Sequence, residues 1–184
     1  MDLSRIRLLV TDVDGVLTDG TVYVDADGNE SCRYSKRDGV LLPAMREAGI
    51  EVQAMTSEPN LDGHVRRLGK IHLPALSVTP DGKLEGLRNL VIGYNLRRGY
   101  EPNEAEALTL SEVAYIGDDL PDLPCLKAVD QAGGYAVVPT DGAEACRLSG
   151  AALGPDGGYG VLRFVCEQLL TARGYDCTRW PVSK

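Results

Sequence analysis

The chain is poor in the residue types from which many metal centres and covalent frameworks are built. It has two histidines, His64 and His72, too few and too separated for a histidine metal site, and both are read as surface or core residues. Its five cysteines (Cys32, Cys125, Cys146, Cys166, Cys177) are odd in number and scattered, with no Cys-x-x-Cys pair. That excludes a zinc ribbon or a disulfide frame as a reading and predicts reduced, cytoplasmic thiols. No segment approaches the ~20 apolar residues of a membrane span. The opening Met1-Asp2-Leu3-Ser4-Arg5 lacks the charged and apolar regions of a signal peptide, so a cytoplasmic location is expected. Basic residues are short as well: 19 Lys and Arg against 27 Asp and Glu give a net charge of −8. This argues against nucleic acid and anionic membrane as partners. There is no internal repeat or low-complexity tract. With 184 residues, 43% of them hydrophobic, one domain with a real core is expected.

What the chain does have is acid at the ends of apolar runs. Leu8-Leu9-Val10-Thr11 leads into Asp12-Val13-Asp14-Gly15. The run reads as a fully buried strand, and a strand places residues i and i+2 on one side. Asp12 and Asp14 therefore leave its end toward one spot, where two anions repel unless one is protonated or a cation lies between them. An Asx-rich turn is the competing account. A second cluster shifts the balance: Val113-Ala114-Tyr115-Ile116 ends in Gly117-Asp118-Asp119-Leu120-Pro121-Asp122. Ligands of parallel α/β sheets bind beyond the carboxyl ends of the strands. Asp12 and Asp118 can meet there as an oxygen-only site suited to Mg²⁺, an ion that takes one or two carboxylates, waters and substrate phosphate.

Between these clusters the pattern alternates strand and helix. A strand at Ile6–Asp12 is followed by a hairpin, Thr21–Val24 and Glu30–Tyr34, turning at Asp25-Ala26-Asp27-Gly28. Helices are predicted at Val40–Ala48 and Asn60–Leu68, stopped by Gly49 and Gly69, and at Lys83–Arg97 and Val161–Ala172. A second short helical stretch, Glu104–Leu108, begins at Glu101-Pro102-Asn103. Strands are predicted at Val52–Thr56, Leu73–Leu76, Val113–Ile116 and Tyr135–Val138. The fold class is α/β: a Rossmann-like, three-layer α/β/α parallel sheet with a hairpin flap (about 20–35) and no large cap domain. Residues 1–173 form the domain, and 174–184 a tail that is loosely attached or used at an interface.

Asp12-Val13-Asp14-Gly15-Val16-Leu17-Thr18-Asp19-Gly20, then Met55-Thr56-Ser57, Lys83 and Gly117-Asp118-Asp119-x-x-Asp122 stand in an order that resembles the haloacid dehalogenase superfamily. The short hairpin, Ser35-Lys36-Arg37-Asp38-Gly39 and the missing cap narrow this to the 3-deoxy-D-manno-octulosonate (KDO) 8-phosphate phosphatase family, over Leu8 to Ala172. The resemblance implies an Mg²⁺-dependent phosphomonoesterase with Asp12 as nucleophile, forming an aspartyl-phosphate. It implies Asp14 as general acid and then base. Mg²⁺ would be held by the Asp12 side chain, the Asp14 backbone carbonyl and the Asp118 side chain, with Asp119 and Asp122 orienting ligands and water from behind. Asp122 fits equally as a first-turn acid complementing a helix dipole. Thr56, Ser57 and Lys83 would bind phosphate. A helix cap accounts equally for Thr56-Ser57, whereas a lysine at a helix start opposes the dipole and is better explained by an anion. The hairpins of this family join into a barrel at the centre of a homotetramer; packing as a flap on its own domain is the alternative.

Departures from the family pattern bear on the sugar. Thr56-Ser57-Glu58 stands where KDO-8-phosphate phosphatases usually have Thr-Gly-Arg. Glu58, with Arg66 one helical stretch later, resembles enzymes acting on nine-carbon 9-phosphates such as 2-keto-3-deoxynononate (KDN) 9-phosphate. The lysine those enzymes carry is not aligned, because Gly69 holds its place and Lys70 is one residue off. Tyr159 replaces a usual arginine in Gly157-Gly158-Tyr159-Gly160-Val161-Leu162-Arg163, and Asn89–Thr109 is longer than the norm. The expected substrate is a phosphorylated 2-keto-3-deoxy sugar acid, KDO-8-phosphate or a nine-carbon 9-phosphate; another sugar or specialised-metabolite phosphate is the alternative. A non-catalytic oligomerisation module on the same fold is weighed down by the complete acidic motifs. A two-component receiver domain is weighed down by motif order, since no mid-chain strand ends in a suitable Asp.

Overall fold

The computed structural model describes residues 1–59, 62–102 and 104–184. In chain order the elements are β1 (Leu8–Thr11), β2 (Tyr23–Val24), β3 (Glu30–Ser31), α1 (Leu42–Glu47), β4 (Glu51–Thr56), α2 (Asp62–Lys70) and β5 (Ala75–Ser77). There follow α3 (Lys83–Arg98), β6 (Val113–Ile116), α4 (Leu123–Gln131), β7 (Tyr135–Pro139), α5 (Glu144–Arg147), β8 (Ala152–Gly154) and α6 (Val161–Ala172). Six of the strands make one parallel sheet in the order β5-β4-β1-β6-β7-β8, and β2 and β3 pair as a separate antiparallel hairpin.

Side chains of a strand point alternately to its two faces, and here both faces are covered. Leu9, Ala114 and Val137 enter one apolar layer with residues of α1, α2 and α6. Leu8, Val10, Tyr115 and Val138 enter the other, with residues of α3, α4 and α5. A strand buried on both sides gains nothing from polar alternation, which is why β1 and β6 read as unbroken apolar runs. This confirms the three-layer α/β/α sandwich expected from the sequence.

The chain runs outward from β1 through β4 to β5, then returns to lay β6 on the other side of β1. The strand order thus reverses between β1 and β6, the place where crevices open in such sheets. Register puts Thr11 beside Ile116, and the Asp12 N–H donates to the Ile116 carbonyl at 2.9 Å. The next residues of both strands, Asp12-Val13-Asp14 and Gly117-Asp118, therefore emerge side by side.

Several expectations need correction. Helix α2 runs through Gly69 to Lys70, because the left-handed turn that ends it is taken by His72 (φ 53°); the start expected at Asn60 lies outside the described residues. Glu104–Leu108 is not helical. Among the described residues its backbone makes i→i−3 turns, Glu104 to Glu101 and Ala107 to Glu104. The Asn95 side chain takes Leu108 instead, accepting from its N–H at 2.7 Å and donating to its carbonyl at 3.1 Å. Asn103, at the start of that stretch, lies outside the described residues. The strand expected at Leu73–Leu76 is shifted to Ala75–Ser77, and each hairpin strand is only two residues long. Three short elements not anticipated, α4, α5 and β8, complete the far half of the sheet. The tail folds back: Tyr175 and Cys177 pack on the core, and Val182 is buried while Trp180 is exposed.

Candidate active site

Gly15 permits the approach on which the site depends. Its φ is 75°, and a Cβ there would lie 1.9 Å from a carboxylate oxygen of Asp118. Only glycine allows both the left-handed turn and that contact. Gly157 braces the same loop, since a Cβ on it would sit 2.1 Å from the Gly15 carbonyl oxygen. With β1 and β6 adjacent, Asp12, Asp118 and Asp122 each offer an oxygen within 4.8 Å of the others. The acids that follow β1 and β6 meet.

Lys83 reaches them from the first turn of α3. Its ammonium lies 2.9 Å from Asp12 Oδ2 and 2.8 Å from Asp122 Oδ1, and the lysine is 3% exposed. Burial alone would lower its pKa, but Asp12 and Asp122 outweigh that and raise it, so the ammonium keeps its charge. Two of its three donors are used in these contacts. Asp122 is saturated: Oδ1 also accepts from the Tyr115 hydroxyl at 2.6 Å, and Oδ2 from the N–H groups of Asp118 (3.3 Å) and Asp119 (3.5 Å). Asp119 caps the turn, its Oδ1 accepting from Leu120 N–H at 2.7 Å. Asp119 and Asp122 are thus engaged in bracing the loop.

Three carboxylates gather beside one ammonium, which pairs directly with two of them, and the excess negative charge is felt. Asp12, 6% exposed, has its pKa raised well above the ordinary value by burial and then by Asp122, against the pull of Lys83. Asp118 is pushed up to about 7 by burial first and Asp122 next. Oxygen-only donors with surplus negative charge fit a hard divalent cation. Among the described residues, histidine and cysteine contribute nothing to this cluster.

Asp14 differs from Asp12. Its side chain is 48% exposed, with Oδ2 3.5 Å from His64 Nε2 and Oδ1 accepting from the Thr18 hydroxyl at 3.3 Å. At the end of β4, Thr56 is 1% exposed and its Oγ1 accepts from Glu58 N–H at 3.0 Å, leaving its hydroxyl proton for a ligand. The neighbouring Ser57 Oγ is buried with no hydrogen-bond partner, an orphan that an anionic ligand would satisfy. Thr56, Ser57, Lys83, Glu58 and Arg66 line one cavity of about 1160 Å³ with Asp12, Asp14 and Asp118, and residues of the hairpin form part of its wall. Sequence reasoning missed Tyr115, His64, Tyr34 and Thr18. For Tyr115 a signal existed, since a hydroxyl inside an apolar strand needs a partner.

No protein-family model matches the chain. Individual relatives do. The 3-deoxy-D-manno-octulosonate 8-phosphate phosphatase KdsC of Salmonella typhi is 32% identical over 178 residues, covering 93% of this chain and 82% of the relative. The solved 3-deoxy-D-manno-octulosonate 8-phosphate phosphatase of Moraxella catarrhalis, in complex with magnesium, phosphate and KDO, is 30% identical with a TM-score of 0.74. That match spans 93% of this chain and 89% of the other. A Legionella pneumophila protein assigned to subfamily III A of the haloacid dehalogenase hydrolases is 28% identical, with a TM-score of 0.77 over 94% of this chain and 86% of its own.

Proposed function

The chain belongs to the 3-deoxy-D-manno-octulosonate 8-phosphate phosphatase family of the haloacid dehalogenase superfamily, and we propose that it is an Mg²⁺-dependent hydrolase acting through an Asp12 phosphoenzyme. Hydrolysis of phosphoric monoesters is the activity of the family. The observation that carries the finer reading is the meeting of Asp12 and Asp118 beside a buried Lys83.

The two acids of β1 divide the work. An ionised Asp12 oxygen forms the new bond to phosphorus as the ester P–O bond breaks, and the electron pair leaves with the sugar oxygen. Asp14 delivers a proton to that oxygen. Asp14 then takes a proton from water as the water oxygen bonds to phosphorus, releasing inorganic phosphate and restoring the Asp12 carboxylate. The environments support this division: Asp12 is enclosed and paired with an ammonium, whereas Asp14 borders the open cavity where alcohol and water arrive. Mg²⁺, held by the Asp12 and Asp118 side chains and the Asp14 carbonyl, would supply charge neutralisation for the phosphoryl oxygens. Lys83, Thr56 and Ser57 are the phosphate-binding groups of this reading, and Asp119 and Asp122 keep the acidic loop in place.

The substrate is a phosphorylated 2-keto-3-deoxy sugar acid, KDO-8-phosphate or a nine-carbon 9-phosphate such as KDN-9-phosphate. Glu58 at the cavity wall favours a hydroxyl-rich chain there, and Arg66 offers a cation for the sugar carboxylate. The exposed apolar side chains of the hairpin (Val22, Tyr23, Val24) support assembly into a homotetramer through it. No described helix is long and apolar enough to cross a membrane. The test is phosphate release across KDO-8-phosphate, KDN-9-phosphate, N-acetylneuraminate 9-phosphate and simple sugar phosphates. One of the keto-deoxy acids should dominate and Asp12→Asn should lower its kcat by at least ~10³-fold, on the scale of losing a catalytic nucleophile. Substantial turnover by Asp12→Asn would overturn the assignment.

A further inference from the structure

Asp14 is half-exposed and two single bonds from its backbone, yet its carboxylate is approached from both sides by groups that are themselves fixed. Thr18 is fully buried, and its Oγ1 accepts from the N–H groups of Gly15 (3.3 Å) and Gly20 (3.2 Å). With its lone pairs so engaged, its proton is directed at Asp14 Oδ1, 3.3 Å away. On the other side stands His64, 8% exposed, with Nε2 3.5 Å from Asp14 Oδ2. The opposite ring nitrogen, Nδ1, is hydrogen-bonded to the Tyr34 hydroxyl. Tyr34 is in turn bridged to Thr18 through an antiparallel backbone pair. The four residues form a closed circuit that joins the β1 loop, the base of the hairpin and the first turns of α2.

Burial, then the Cys32 thiol and the Asp14 charge, raise the pKa of Tyr34, so the phenol keeps its proton, with Nδ1 of His64 and the Cys32 sulfur as its acceptors. When that proton is given to Nδ1, a neutral ring carries its hydrogen on Nε2, facing Asp14. The separation of 3.5 Å exceeds that of a formed hydrogen bond. Such contacts commonly shorten when substrate binds.

We propose that His64, oriented by Tyr34, is a positioning residue that holds the Asp14 carboxyl group toward the leaving oxygen of the substrate. This goes beyond the assignment of Asp14 as acid and base and rests on it. It gives the α2 segment a role in the chemical step and not only in sugar selection.

A misaligned general acid hurts most when the leaving group needs a proton. Sugar alkoxides need one; p-nitrophenolate does not. His64→Ala should therefore lower kcat on a sugar phosphate by about 10²-fold, the lower range of acid–base contributions, with KM changed less than about twofold. First-turnover release of p-nitrophenolate from p-nitrophenyl phosphate should change by less than about threefold, because that step needs no acid. His64→Gln keeps an N–H on the Asp14 side and should recover part of the loss. Tyr34→Phe frees the tautomer and should show the same leaving-group bias at smaller size, in a protein whose melting temperature confirms folding. Equal losses on the two substrates in His64→Ala, or no loss on either, would overturn the proposal. Asp12→Asn run in parallel separates the two layers of argument. If that variant is dead and His64→Ala shows no leaving-group bias, only the positioning role fails; if Asp12→Asn turns over normally, the reading of the whole site fails with it.

Discussion

Asp12 and Asp14 are separated by one residue of the same strand end, but they occupy opposite kinds of surroundings. Asp12 is 6% exposed and bonded to Lys83, which Asp122 holds from the far side, itself tied by Tyr115 and two backbone N–H groups. Every group in that chain of contacts comes from a strand end or the start of a helix of the central sandwich. Asp14 has a side chain 48% exposed, and its neighbours Thr18, Tyr34 and His64 come from loops, the hairpin base and α2. The rigid half suits a proposed nucleophile that must be held in one place. The open half suits a group that exchanges protons with alcohol and then water. Identical side chains sit in different environments because one end of the crevice is built from the core and the other from its attachments.

That contrast can be broken at its rigid side. Tyr115→Phe removes one of the bonds that fix Asp122 and leaves its neighbours in place. The variant should lose about 1.5–3 kcal/mol of stability, the usual contribution of a hydrogen bond to a charged group. Its kcat should fall about tenfold, as for other groups that orient metal ligands from behind. Its leaving-group dependence should stay that of the wild type, in contrast to His64→Ala. Paired denaturation and kinetics with two substrates check all three expectations. A Tyr115→Phe enzyme with the His64→Ala signature would mean that the two halves are not separable.

An effect on stability alone sharpens the contrast from outside the crevice. Asp38 is 2% exposed and accepts from Arg163 N–H at 3.1 Å, at the start of α6. Burial raises its pKa to about 6, against about 3.9 in an unfolded chain. A raised folded-state value means that its stabilising share is complete below about pH 4 and is lost as pH rises through about 6. Wild type should lose at most about 3 kcal/mol across that window from this group. Asp38→Asn, whose amide oxygen can still accept from Arg163, should lose none of it, as thermal melts at pH 4 to 7 would show. Identical pH profiles for the two proteins would remove Asp38 from this role.

How much of this was legible in the sequence follows the same division. The runs leading to Asp12 and to Asp118 are buried on both faces, so their apolar signal is strong, and glycine marks where the loops converge. The sheet, its layers and the acidic cluster could be read from them. The contacts around Asp14 join residues as far apart as 14 and 64, and nothing local in Gly63-His64-Val65 announces them. Glu104–Leu108 reads as helix only until Asn95, on another element, captures Leu108. The edge strand β8 is three residues long with two of them exposed, too short for any period to register. Local pattern reports burial well and says little about which distant polar group will claim a backbone or a side chain.

Carboxylates that follow β1 and β6, Asp12 and Asp118, are proposed to hold one divalent ion between them. Calorimetric titration of Mg²⁺ into the wild type and into Asp118→Asn, alongside thermal melts with and without Mg²⁺, checks this. The wild type should show saturable binding with a rise in melting temperature. Asp118→Asn should bind at least ~10²-fold more weakly and show no such rise, since a lost ligand should cost at least as much as a lost outer partner. Equal Mg²⁺ affinity in the two proteins would mean that the two carboxylates do not share an ion.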